Sequence, residues 1–333
     1  MTADLIALVL LLGITAYSVA GGVDFGAGIW DLLAGNNPQG RRARSLIDHA
    51  MAPVWEVNNV WLVLSIVVCW TAFPPLFETV FLSLYPLFTL ALVGLILRGA
   101  FFAFRHVAHD GRGRRAADVV FGVSSVVTPF FFAAALGAIA SGRVGERPAF
   151  EASFSPMAIA FGLVSVAATA FSGAAFLIGD ARRYGSVEMV DYFRRRVVAA
   201  GLFLVATGTA ALVVIELEAP SLLRSALSGL ALPFALLTMV LTPAVMLLVW
   251  RRTFRWFRVL AVGAVGSMVF AWGFAQSPYL LPGRLTIEQA IAPAGTQAVL
   301  LLVTAAVVLL VAPSLALLLY LDQKNTLESP QQD

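Results

Sequence analysis

Apolar runs of about 20 residues recur along almost the whole of this 333-residue chain, and each is long enough to cross a bilayer. That feature leaves little choice of fold. In lipid every backbone polar group must be satisfied within the protein, so spanning segments are helices or closed barrels. Unbroken apolar stretches without alternation select helices. A soluble helical protein would carry a polar face on its surface helices, and these stretches carry none. Charged residues make up only 12% of the chain and the mean hydropathy is +0.88, against about a quarter charged for a soluble domain.

The runs predict an all-α polytopic membrane protein with nine transmembrane helices, at 4–28, 51–73, 77–103, 118–140, 156–179, 197–215, 227–250, 258–276 and 296–321. Charge supports the count. With the N-terminus outside, the inner connections 29–50, 104–117, 180–196 and 251–258 and the tail hold 17 Lys and Arg, from Arg41 to Lys324. The outer connections hold four, Arg143, Arg147, Arg224 and Arg284, and Arg98 falls inside a span. That asymmetry fits the positive-inside rule with the N-terminus out and the C-terminus in. Eight spans would break it. The pI near 9.3 therefore reports topology and gives no reason to expect nucleic acid. The first residues, MTADLIALVL, lack the basic region of a cleaved signal peptide and are expected to begin the first span.

An internal echo is visible. The first span ends GGVDFGAGIWDLLAG and the fifth ends SGAAFLIGDARRYG. Both run in the same direction in this topology. The echo suggests a parallel repeat, with units 1–140 and 156–276 and an extra helix at 296–321, within one membrane domain.

Ionisable and amide side chains inside spans are costly unless they pair or face a cavity. Asp24 lies among glycines, in GGVDFGAGIWD, and is either part of a tight packing seam or functional. APVWEVNNVWLVLS opens the second span with Glu56, Asn58 and Asn59. Glu56 and Asn59 are three apart and share a helix face. Interhelical hydrogen bonding would account for one such group, and three within four residues favour a functional cluster. In LILRGAFFAFRH, Arg98 lies about five residues inside the third span, hence roughly 7–8 Å deep. Its alternatives are snorkelling or pairing with Glu56 or Asp24. The short Phe73-Pro74-Pro75 link predicts that spans two and three are antiparallel neighbours, which would allow such pairing. AWGFAQSPYLLPGRLTIEQA leaves the membrane on the outer side through Pro278 and Pro282.

Some chemistries lack their signatures. There is no phosphate-binding GxxxxGKS loop and no Cys/His cluster with metal spacing. The lone Cys69 is expected to be packing. His49, His106 and His109 sit in or near polar connections, so no haem ligand is evident. No metal site is expected.

The ordered series GVDFGAGIW, PVWEVNNVWL, FP, LILRGAFFAFR and AWGFAQSPYLLPGRLTIEQAIAP resembles subunit II of the cytochrome bd quinol oxidases. The resemblance runs the length of the chain and is strongest over 20–106 and 271–293. It implies nine helices, as two four-helix units and one peripheral helix. It also implies a non-haem subunit of a quinol:dioxygen oxidoreductase in the bacterial plasma membrane, with no catalytic residue of its own. The b- and d-type haems are expected in a partner, subunit I, which forms the heterodimer core. Small accessory single-span subunits and a quinone or quinol lipid are compatible with it. Asp24, Glu56, Asn58, Asn59 and Arg98 are then expected to line a cytoplasmic proton route. The chain departs from the family pattern where Asn59 and Ala103 stand in place of carboxylates. Glu56 keeps an acid where the family has Asp. A proton-coupled secondary transporter and a purely structural scaffold are the competing readings.

Overall fold

The computed structural model describes residues 2–51, 55–107 and 112–323. The side chains of Glu56, Arg105, His106 and His109 lie outside the described residues. In chain order the elements are α1 (Thr2–Leu32), α2 (Pro38–Met51), α3 (Trp55–Ala72), α4 (Pro74–Ser83), α5 (Tyr85–Val107), α6 (Arg112–Ala140) and α7 (Ala149–Ser153). There follow α8 (Pro156–Arg183), α9 (Val187–Glu218), α10 (Pro220–Ala226), α11 (Ala231–Trp250) and α12 (Phe257–Gln276). A three-residue and a two-residue strand, β1 (Tyr279–Leu281) and β2 (Leu285–Thr286), pair antiparallel. The chain ends with α13 (Ile287–Ala290) and α14 (Ala294–Gln323).

Seven described helices are long and apolar enough to cross a membrane: α1, α5, α6, α8, α9, α11 and α12. The segment Asn58–Ala72 passes that test only together with α4, to which it is bent by 116°. In α14 the apolar stretch among the described residues is Ala294–Leu310. Proline starts several helices, at Pro38, Pro74, Pro156 and Pro220, because its fixed φ and missing N–H suit a first turn. Ser155 caps α8 by accepting from the Ala158 amide at 3.2 Å.

The bend corrects one expectation. The link after the second span is not a short turn but the whole of α4. Pro74 and Pro75 begin that helix, with Phe73 fully buried at the corner. The third span accordingly starts near Tyr85 rather than residue 77. Among the described residues spans two and three are also not closely packed along their length. α3 lies against α1 and α14, while α5 lies mainly against α6. The connection 29–50 likewise contains a helix, α2, which buries Ala43, Leu46 and Ile47 and leaves Arg41 and Arg42 exposed.

α1 is the central helix, packed on α3, α6, α8 and α12. It crosses α8 with almost no separation. A Cβ added at Gly26 would lie 2.2 Å from the Thr169 carbonyl oxygen, and one at Gly173 would lie 2.5 Å from the Gly26 carbonyl carbon. Small residues permit such approach where lipid provides no hydrophobic drive between helices. Two large apolar clusters fill most of the bundle, with a smaller third around Met157 and Leu222. One, near the arginine-rich end, gathers Trp30, Phe121, Phe171, Phe193 and Phe257. The other, near the opposite end, gathers Ile6, Phe73, Leu84, Leu87 and Leu281.

Candidate functional site

Arg98 is the largest of the fully buried side chains, only 2% exposed. It reaches from α5 into the seam between α1 and α6. Its Nη2 donates to the Asp24 carboxylate at 2.8 Å and to the Asp24 carbonyl oxygen at 2.9 Å. Its Nη1 donates to Ser125 Oγ, and Ser125 donates in turn to the Phe121 carbonyl at 2.6 Å. The guanidinium carbon sits 4.8 Å from the Phe25 ring centre and 4.4 Å from that of Phe121. The charge is thus held by one carboxylate, two neutral acceptors and two aromatic faces. This arrangement removes the snorkelling alternative, since the head group points into the bundle.

Glycine makes the room. A Cβ at Gly28 would come within 2.7 Å of Arg98 Nη1 and 2.2 Å of Ser125 Oγ. Glycine one turn beyond Asp24 therefore admits both the arginine and its serine. The sequence singled out the glycine run but not Ser125, because serine is common in membrane helices and carries no charge to betray it.

A cavity of about 50 Å³ adjoins the ion pair, lined by Asp24, Asn59, Leu95, Arg98 and Gly99. It has room for a few water molecules and polar groups to hold them. It lies where α3 faces α1 and α5. Asn59 turns into it. Asn58, one residue earlier, is 1% exposed and packs on α1, where a Cβ at Gly21 would lie 3.1 Å from its Oδ1. Among the described residues that Oδ1 has no hydrogen-bond partner. Asp24, Asn59 and Arg98 therefore meet at the cavity, while Asn58 packs beside it on Gly21 of α1. Glu56 is three residues from Asn59 on α3, and its side chain lies outside the described residues.

The second half holds a related group. Arg258 of α12 donates from Nη2 to the Phe176 carbonyl and to Asp180 Oδ1, each at 2.6 Å. Its guanidinium carbon is 5.1 Å from the Phe176 ring centre, and a Cβ at Gly179 would meet it at 2.2 Å. Phe176 and Gly179 on α8 have the spacing of Phe25 and Gly28 on α1. The arginine, however, comes from the third long helix of the first half and the last of the second. Asp180 also sits after the shared phenylalanine, where Asp24 sits before it.

Other ionisable groups are structural or lie at the ends. His49 closes α2, with Nδ1 2.7 Å from the Ser45 carbonyl and its ring edge-on to Tyr184. Cys69 is a half-buried free thiol in α3. Glu218 ties the opposite end together, accepting from Arg143 at 3.1 Å and from the Met157 amide at 3.2 Å. Arg284 donates to the Val144 carbonyl at 2.8 Å and holds the hairpin down. Among the described residues no group of three His, Cys, Asp or Glu could hold a metal ion. The one described histidine side chain, His49, is exposed.

Comparison with known proteins agrees with this architecture. The chain is 28% identical over 178 residues to "Cytochrome bd-I ubiquinol oxidase subunit 2" of Escherichia coli K12, which covers 51% of this chain and 45% of that protein. It is 30% identical over 109 residues to "Cytochrome bd ubiquinol oxidase subunit 2" of Bacillus subtilis, covering 33% and 31%. The matched segments thus span less than half the length of these relatives. Over the full fold, the solved bd oxidase from Geobacillus thermodenitrificans superposes with a TM-score of 0.75. That match covers 98% of this chain and 100% of the other, at 22% identity. The family model described as "Cytochrome bd terminal oxidase subunit II" matches residues 2–321, from α1 into α14, and the chain belongs to that family.

Proposed function

We propose that the protein is the haem-poor second subunit of a bd-type terminal oxidase, packed on a haem-bearing subunit I in the bacterial plasma membrane. The complex would oxidise quinol and reduce dioxygen to water. In this reading the chain crosses the membrane nine times. The bent α3–α4 pair and α14 add to the seven clear spans, with the arginine-rich ends in the cytoplasm. The two halves descend from one four-helix unit, and the paired arginine groups at Arg98 and Arg258 support that origin.

The observation that carries the proposal is the buried Arg98–Asp24 pair beside a small polar cavity, in a chain of this family. A scaffold has no need of a full charge at that depth, because apolar residues of similar volume often stabilise as well or better. Arg98 gives Asp24 a countercharge at hydrogen-bonding distance. Asn59 orients water in the cavity. Glu56 is the remaining titratable group of the route and the one that passes the proton. Asn59 and Ala103 cannot carry an excess proton, so the route depends on fewer acids than the family pattern provides. Quinone is a partner of the complex, and no residue of this chain is assigned to it.

The test is Glu56→Gln in the purified complex, read as quinol-driven oxygen uptake and proton release. General acid–base and relay groups contribute 10²–10⁴-fold, so turnover is expected to fall at least about tenfold. Unchanged turnover and proton release would reduce the chain to a scaffold. A solute flux catalysed by this chain alone in liposomes would favour the transporter reading instead.

A further inference from the structure

The arginine-rich end contains a second cavity, of about 280 Å³, where the turn from α8 to α9 meets the loop from α11 to α12. Arg182, Arg252, Ser186, Val187, Val190 and Phe254 line it. Its charge is unbalanced. Arg182 donates to the Phe254 carbonyl at 3.3 Å and lies over the Phe254 ring at 4.9 Å, and both partners are neutral. Arg252 pairs with Asp191 at 3.1 Å, but the same carboxylate also meets Arg194 at 3.3 Å. Asp191 thus serves two arginines, while Arg182 rests on neutral groups. Glu188, the next carboxylate, is engaged by Arg42 of α2. Asp180 is engaged by Arg258.

The cavity is also built at membrane level. It sits at the ends of four membrane-crossing helices, α8, α9, α11 and α12. Trp250 and Trp256 bracket the loop, 67% and 68% exposed, and Val187 on the cavity wall is 71% exposed. Exposed tryptophan at a helix end marks the headgroup region of a bilayer. The loop holds its shape at a conformational cost. Arg252 and Trp256 are the only described non-glycine residues with positive φ, at 57° and 64°, a region that side chains disfavour. The Thr253 amide secures it with a bond to the Leu248 carbonyl at 2.8 Å.

Excess positive charge, an apolar wall and an aromatic border match one ligand class best. We propose that this cavity seats the headgroup of an anionic phospholipid. The phosphate lies between Arg182 and Arg252, and the acyl chains leave past Val187 toward the exposed faces of α9 and α11. Basic pockets between membrane helices recognise such headgroups through charge and hydrogen bonding together. This inference does not depend on the proton route or on the partner subunit.

The test titrates the purified full chain, with any subunits that accompany it, with phosphatidylglycerol and with phosphatidylcholine of the same acyl chains. Bound lipid is counted by native mass spectrometry. Phosphatidylglycerol is expected to bind at least about tenfold tighter, and the preference should vanish in Arg182→Gln/Arg252→Gln. Arg182→Lys/Arg252→Lys keeps the charge and should keep most of the preference, which guards against a glutamine variant that fails to fold. A benzophenone amino acid at position 187 should cross-link lipid. Equal binding of the two lipids would overturn the proposal. So would an unchanged preference in the glutamine variant, displacement of the lipid by equimolar inorganic phosphate, or capture of a polypeptide at position 187.

Discussion

A full positive charge persists inside this bundle because both terminal nitrogens of Arg98 are partnered, although its Nε has no acceptor among the described residues. Asp24 supplies the countercharge, Ser125 and the Asp24 carbonyl accept its protons, and Phe25 and Phe121 cover its flat faces. Removing one partner leaves the other charge buried and alone. Asp24→Asn is therefore expected to cost about 3–5 kcal/mol, measured as the loss of thermal stability of the purified protein. Arg98→Gln should cost a similar amount, and the double variant clearly less than the sum. Additive losses would mean the two groups are not coupled. Gly28→Ala should also destabilise, by roughly 1–3 kcal/mol, since its Cβ would push on Arg98 and Ser125. The sequence narrowed the partners of Arg98 to Glu56 or Asp24, because a charged residue in an apolar helix needs a partner, but it did not choose between them or exclude snorkelling. The amides at Asn58 and Asn59 were legible for the same reason. Ser125 was not, and neither was the division of labour between the amides. That division depends on the rotation of α3, which places Asn58 against Gly21 and Asn59 in the cavity.

At the level of elements, two features decide how the helices meet. The first is the α1–α8 crossing, where the backbones touch at Gly26 and Gly173. Gly26→Ala would press a methyl group onto the Thr169 carbonyl, which cannot move aside as a flexible side chain could. Its cost should lie at or above the roughly 1–3 kcal/mol typical of overpacking. Poor recovery of folded protein from membranes, against normal recovery of Gly99→Ala, would register it, since a Cβ at Gly99 meets nothing within 4 Å. The second is the 116° corner between α3 and α4. Phe73 is fully buried there, and a row of stacked rings runs from Trp70 through Phe77 and Phe81 to Phe88. Phe73→Ala should cost about 3–5 kcal/mol, read by thermal unfolding. The spans themselves could be read from hydropathy, because length and apolarity are local properties. The corner could not. Two prolines after phenylalanine are equally compatible with a tight turn and with the first turn of a new helix, and the choice is made by burial of Phe73 among distant residues. The amphipathic helix α2 was passed over for a related reason, since its short apolar stripe of Ala43, Leu46 and Ile47 has meaning only against the bundle it covers.

For the molecule as a whole, the helical membrane class and the family were within reach of the sequence. Long apolar runs are a local property, and the motifs run in order along the entire chain. The repeat proposed for the two halves was suggested in the sequence only by an echo in α1 and α8. The structure adds an arginine group on each of these helices, with Arg98 and Arg258 supplied by non-equivalent helices. What the chain does in company rests on partners that its own residues only imply. The central claim is that it serves as the haem-poor subunit of a bd-type oxidase. The most direct measurement is to purify the tagged chain from its native membranes and record the reduced-minus-oxidised visible spectrum beside the polypeptide composition. The account predicts an equimolar second membrane subunit and haem bands that include the d type. A single haem-free polypeptide, with no such partner in the membranes, would contradict it.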